Sequence, residues 1–134
     1  MPASDYAKGV PGFGFPTIRA QVVHILNCEG FWIHTLQTLP FEDQDPAYWP
    51  TVSDARVLQR EVRLKTLNYL SDLSEQDLNA RIELHFSDGD TAVRTPALVF
   101  HHVLTHAFHH KGQIVSMCRS LGYPAPDTDL NQFE

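Results

Sequence analysis

Five of the chain's eight histidines fall between positions 101 and 110, in the stretch HHVLTHAFHH. Three of them, His102, His106 and His110, stand four residues apart. Residues at that spacing share one face of a helix. Two imidazoles so placed can close on a single ion, each nitrogen ~2.0–2.1 Å from a zinc-like metal. Three along one straight helix cannot, because His102 and His110 lie about 12 Å apart along the axis. One adjacent pair, either His102 with His106 or His106 with His110, therefore needs a third ligand from another element. His101 and His109 are turned about 100° away from the row and read as surface or rim residues.

A partner for the pair stands near the other end of the chain. Thr17, Gln21, His24, Cys28, Phe31 and Thr35 recur at helical spacing beside an apolar stripe. His24 thus sits at the edge of a core-facing surface. Helical bundles build metal sites from inward side chains on facing helices, and a histidine opposite a paired histidine motif reads as the third ligand. Cys28, one turn from His24, is either a further ligand or a small core residue. Gln113, seven residues after His106, shares its face and either orients a ligand or packs as an ordinary polar side chain.

The elements that must position these groups follow from local pattern. Residues 1–15 hold three glycines and two prolines without a period and read as an extended arm. Pro16 and Thr17 mark a helix start, with Thr17 as N-cap. Ile18, Val22, Ile25, Trp32, Leu36 and Leu39 supply an apolar face broken at Glu29, and Pro40 ends the helix. Gly30 costs that helix about 1 kcal/mol relative to Ala. An acidic, proline-bounded loop spans residues 40–50. A second helix runs from about Ser53 to Leu70, with Ala55, Leu58, Val62 and Tyr69 on one side. SEQD at 74–77 resembles a capping box opening a short helix to about Ala80, with Asp in place of the usual Glu. Ile82, Leu84 and Phe86 alternate with polar residues before the turn SDGD and the strand Thr91 to Arg94, a hairpin signature. Thr95 and Pro96 then start the last helix. It continues to Leu121, where Gly122 and Pro124 stop it. The tail from 125 to 134 reads as a polar loop.

Totals narrow the function. The chain has 134 residues, 43% hydrophobic and 19% charged, which fits one globular domain. Net charge is −6 and the ten basic residues form no run, which argues against nucleic acid. No apolar stretch approaches the ~20 residues that span a bilayer, so no membrane partner is expected. The first residues lack the apolar core of a signal peptide. Cys28 and Cys118 read as reduced thiols inside helices, and the protein is expected in the cytoplasm.

Against this background the segment THAFHHKGQIVSMCRSLGYPAPDTDL closely resembles the final-helix signature of the DinB family of metal-binding four-helix bundles. TIRAQVVHILNCEGFWIHTL resembles the family's histidine helix, and LSDLSEQDLNARIEL its middle region. The resemblance covers about residues 16–130. It implies an all-α fold, a four-helix bundle with a small hairpin before the last helix. It also implies His24, His106 and His110 as the metal ligands, with His102 a neighbour one turn away. Two positions depart from the signature: Lys111 stands for the usual arginine and Thr105 for the usual asparagine. Family members also carry a long helix before the region matching Pro16, and here that helix is lacking or shortened.

Three neutral imidazoles leave a divalent ion, whether zinc, nickel or iron, with its full charge and an open position. That position can bind water and lower its pKa, or bind a thiol and deprotonate it. The resemblance implies transfer of a low-molecular-weight thiol to a small electrophile by way of a metal-bound thiolate. A metal-dependent hydrolase and a non-catalytic metal-binding module are the alternatives. With one long helix absent, an apolar groove is left open on the others. A homodimer is expected to cover it, with the arm at residues 1–15 as the competing cover.

Overall fold

Each of the three long helices begins on a threonine. In the computed structural model of the chain, which describes residues 1–124 and 128, Thr17, Thr51 and Thr95 hold extended backbone angles. Their side chains accept from the backbone N–H groups of Ala20, Asp54 and Leu98. Such a cap satisfies one of the N–H groups a helix start leaves unpaired and contributes about 1 kcal/mol. The helices are α1 (Ala3–Tyr6), α2 (Ile18–Leu36), α3 (Val52–Ser71), α4 (Glu75–Asn79) and α5 (Pro96–Ser120). A 3-10 turn, Pro46–Tyr48, interrupts the loop before α3, and strands β1 (Ile82–His85) and β2 (Thr91–Arg94) precede α5. The fold is thus mostly helical with one antiparallel hairpin, as the sequence suggests. Among the described residues no helix is long and apolar enough to cross a membrane.

Helix ends follow the same economy. α3 opens on a capping box between Thr51 and Asp54, and α4 on the expected one between Ser74 and Asp77. At the end of α5, Gly122 has φ +84, and the N–H of Tyr123 reaches back to the carbonyl of Cys118 at 2.9 Å. α2 closes in the same way but earlier than Pro40. Thr38 takes φ 55, and the N–H of Leu39 bonds the carbonyl of His34 at 2.9 Å. Both are left-handed terminations that satisfy the last carbonyls. The hairpin pairs Ile82 with Arg94 and Leu84 with Ala92, and Leu84 is buried beneath it.

α2 packs against both α5 and α3. Its most enclosed side chains are Gln21, Val23 and Ile33, with Ile18 and Leu26 close behind, so of the apolar face expected from the sequence only Ile18 is buried. That face is only partly covered, and Leu39 is exposed beyond the helix end. No long helix precedes Ile18 among the described residues. Val22 and Ile25 instead line an open groove of about 440 Å³ with Met1, Val52 and Arg56. Glu29, where the stripe breaks, accepts from Thr66 Oγ1 at 2.6 Å. It lies in a second groove of about 430 Å³, walled by Leu70 of α3 and by Phe100, Val103 and Ala107 of α5.

The loop after α2 is pinned at two points. Asn27 donates to the carbonyl of Gln44 and accepts from its N–H, at 3.0 and 2.9 Å. The ring of Phe41 lies where a Cβ on Gly30 would stand, 2.8 Å from its nearest carbon. Gly30 is therefore a docking point, which explains a helix-interior glycine that propensity alone disfavours.

Segment 1–15 also differs from the extended arm expected. It carries the single turn α1, reverses at Gly12 with φ +90, and bonds Val10 N–H to the carbonyl of Pro16 at 2.7 Å. Tyr6 and Val10 are buried with Ile18, Ala55 and Met117, and Tyr123 Oη donates to the Asp5 carboxylate. Aromatic bulk in the arm makes it part of the core. The polar tail expected at 125–134 lies outside the described residues, apart from Thr128. Tyr6 is 1% exposed, yet its hydroxyl has no hydrogen-bond partner among the described residues. Tyr6→Ala should lower unfolding free energy by about 3 kcal/mol. Tyr6→Phe should leave it unchanged or raise it, because an unmet buried hydroxyl disappears. Chemical denaturation of the two variants checks both outcomes.

Candidate metal centre

His24 projects from α2 toward α5, where His106 and His110 stand one turn apart on the facing surface. One ligand nitrogen from each of the three lies within 4.8 Å of the others. Nε2 of His24 and Nε2 of His106 are 3.1 Å apart. Two nitrogens sharing a tetrahedral ion at ~2.0–2.1 Å stand about 3.3 Å apart, so this pair already has the spacing of co-ligands. The ring centroids of His24 lie 4.8 and 4.6 Å from those of His106 and His110. His110 is buried, and the other two are half-buried.

The remaining candidates fall outside this group. His102 is exposed, with its ring against Trp32 at 5.4 Å and His106 at 5.9 Å. The geometry therefore favours the pair His106 and His110 over His102 and His106. His101 and His109 are exposed, as expected of rim positions. Cys28 is a free, half-buried thiol that does not join the histidine nitrogens, and burial pushes its pKa up to about 11. The two positions that depart from the signature act elsewhere. Lys111 Nζ donates to the carbonyl of Thr128 at 2.9 Å and lies 4.0 Å over the Phe108 ring, while Thr105 Oγ1 donates to the carbonyl of His101.

Two contributors carried no assigned role in the sequence. Phe15, the last aromatic of the arm, stacks on His24 with centroids 4.0 Å apart and planes at 23°. Gln21, fully buried, brings its side-chain oxygen within 2.6 Å of His110 Nδ1. It stands one turn before His24 in the polar stripe. A polar residue at a core-facing position beside a histidine is the signal that marks it. Gln113 accepts from Gln21 Nε2 at 2.7 Å.

Electrostatics prepare the rings as ligands. Burial, followed by repulsion from His110 and His24, pushes His106 down to about 4. Burial also lowers His24, opposed by the carboxylate of Asp43, and lowers His110. Neutral imidazole is the form that binds a metal, so all three have lone pairs to offer near neutral pH. Their chemistry fits a divalent ion. Among the described residues the buried Nδ1 of His106 has no hydrogen-bond partner.

A helical fold with facing histidines on its first and last long helices fits a class of metal-binding bundle. The DinB family model matches residues 2–134, so the match includes the arm, and the chain belongs to the DinB family. No functionally curated protein matches the chain.

The depressed histidine pKa values set a pH dependence. Between about 4 and the ordinary value of 6.5, the unfolded chain takes up a proton at His106 that the folded chain refuses. Stability therefore rises with pH through this window. The melting temperature of metal-free protein should fall as pH drops from 7 toward 5, and His106→Gln should flatten the slope. Thermal melts across that range check it.

Proposed function

We propose that the chain is a metal-dependent enzyme that binds one divalent ion through His24, His106 and His110 and transfers a low-molecular-weight thiol to a small electrophile. The observation that carries this reading is the donor set. Three imidazoles from two helices converge, and no carboxylate or cysteine joins them among the described residues. Membership of a metal-binding family supports it. A divalent ion held by three neutral nitrogens keeps its charge and an open position, where it lowers the pKa of a bound thiol. Imidazole ligands suit zinc, nickel and iron alike.

The chain's own residues supply the surroundings. Phe15 shields His24 on one face, which restricts water there. Trp32 meets His102 and Phe86 edge to face, forming an aromatic wall one turn beyond His106 that suits the body of a small electrophile. A closed four-ligand site is disfavoured, because Cys28 does not join the three clustered histidines. The free cysteines fit a reducing cytoplasm. Thiol dependence separates this reading from a hydrolase.

Metal analysis of untagged protein should give about one ion per chain, lost in His106→Ala and retained in His101→Ala. A panel of common thiols with a generic electrophile should then turn over faster with the metal-loaded protein than with the chelated one. Unchanged metal content in His106→Ala overturns the ligand assignment. Equal rates for the two forms with every thiol overturn the transfer reaction.

The same reading includes a homodimer. The arm lines the first groove near Ile18 through Met1 and Tyr6, but the second groove, walled by Leu70, Phe100 and Val103, stays uncovered. The occupant proposed is a second copy, because the chain also carries a spare apolar helix face. Val57, Leu64 and Leu67 on α3 are 40%, 60% and 49% exposed, opposite the face that packs on α2. A helix apolar on two sides is one with two neighbours to bury against. A twofold pairing fills both grooves at once. Each buried Leu or Val stabilises by about 1.5–3 kcal/mol. Light scattering at micromolar concentration should give twice the chain mass, and Leu64→Glu should reduce it to one. A monomer mass for the unmodified protein overturns the dimer.

A further inference from the structure

Four side chains form a hydrogen-bonded chain behind the histidine cluster. Gln21 is 0% exposed, and both sides of its amide are engaged. Its Nε2 lies 2.9 Å from the carbonyl oxygen of Phe15 and 2.7 Å from Gln113 Oε1. Its Oε1 lies 2.6 Å from His110 Nδ1. Gln113 Nε2 in turn lies 2.7 Å from His109 Nε2.

The directions of these bonds follow from one fixed group. A backbone carbonyl can only accept, so the atom of Gln21 facing Phe15 must be the NH₂ group. The other end of the amide, facing His110 Nδ1, is then oxygen, which also only accepts. His110 must therefore carry its proton on Nδ1 and present a bare Nε2 to the cluster. Turning the amide over would set two oxygens against each other at Phe15 and leave a buried donor without an acceptor, a cost of about 1–3 kcal/mol. Neutral histidine free in water prefers the opposite tautomer. Among the described residues, no other side chain bonds the outward ring nitrogen of a cluster histidine, and His106 Nδ1 is buried without any partner.

We infer that Gln21 is the positioning residue of the centre: it fixes the tautomer and ring plane of His110, and Gln113 and the Phe15 carbonyl hold it in place. It acts through His110 and touches neither ion nor substrate. This rests on the proposed metal reading, in which His110 ligates through Nε2. Groups that orient a ligating histidine in this way typically change metal affinity by about 10–100-fold when removed.

Two measurements test it. In metal-free protein labelled with ¹⁵N in its histidine rings, long-range proton–nitrogen NMR at neutral pH should show His110 protonated on Nδ1. The signal is assigned by its loss in His110→Ala. A proton on Nε2 overturns the inference, and this measurement needs no Gln21 variant to fold. In Gln21→Met, which keeps the volume and removes the acceptor, cobalt or zinc should bind about 10–100-fold more weakly by competition with a chromophoric chelator. The metal-free melting temperature reports any purely structural loss. Unchanged affinity in Gln21→Met overturns the inference. An affinity loss with the metal-free melt preserved supports it. An affinity loss that merely follows a collapsed melt overturns the positioning role in favour of a packing role. Failure of the wild-type protein to bind any ion overturns the metal reading instead, and the tautomer stands as a separate result.

Discussion

A buried amide must have every donor and acceptor met, and the seam between α2 and α5 is built around one. Gln21 is enclosed there with His110 and Gln113, and its hydrogen bonds reach the arm as well. Breaking one of them leaves the buried amide of Gln21 short of a partner, which costs free energy in a low-dielectric interior. The two helices therefore cannot slide or roll independently, and Phe15 cannot leave without exposing the carbonyl that Gln21 holds. The position of the three histidines relative to one another is a consequence of that constraint.

Much of this was legible in the sequence because it is local. A threonine before an apolar run, a capping box, a glycine after a helix and an alternating strand each act over a few residues, and Thr17, Ser74, Gly122 and Leu84 do what their neighbours predict. The histidine ladder was legible as chemistry but degenerate in register. His102, His106 and His110 repeat with one spacing, and only contact with α2 distinguishes the pairs. Gln21 was visible as a member of a polar stripe, but its partners lie 89 and 92 residues away in sequence. No local pattern encodes such a contact. The arm was misjudged for a related reason: its glycines and prolines deny it a period, while Tyr6 and Val10 bury themselves against side chains from α2, α3 and α5.

The apolar face of α2 shows how periodicity can be right about character and wrong about depth. Ile18, Val22 and Ile25 recur as a core stripe should, yet only Ile18 of the three is buried, while Val23 and Ile33, off the stripe, are enclosed almost completely. Periodicity reports which face avoids water. Which face is covered depends on how many neighbours are present, and α2 has α3 on one flank and α5 on the other. Val22 and Ile25 of the stripe line the first groove instead.

The missing methyl group at Gly30 reaches further than helix propensity. Phe41 rests against the bare backbone there, and Asn27 clamps Gln44 three residues later in the loop. Asp43 is strung between those two anchors, and its carboxylate is the charge that opposes the lowering of the His24 pKa. A side chain at position 30 would meet the edge of that ring and press on the first of the two anchors. A gap the size of a single carbon atom thus helps seat the loop whose carboxylate acts on a ring two turns back along the same helix.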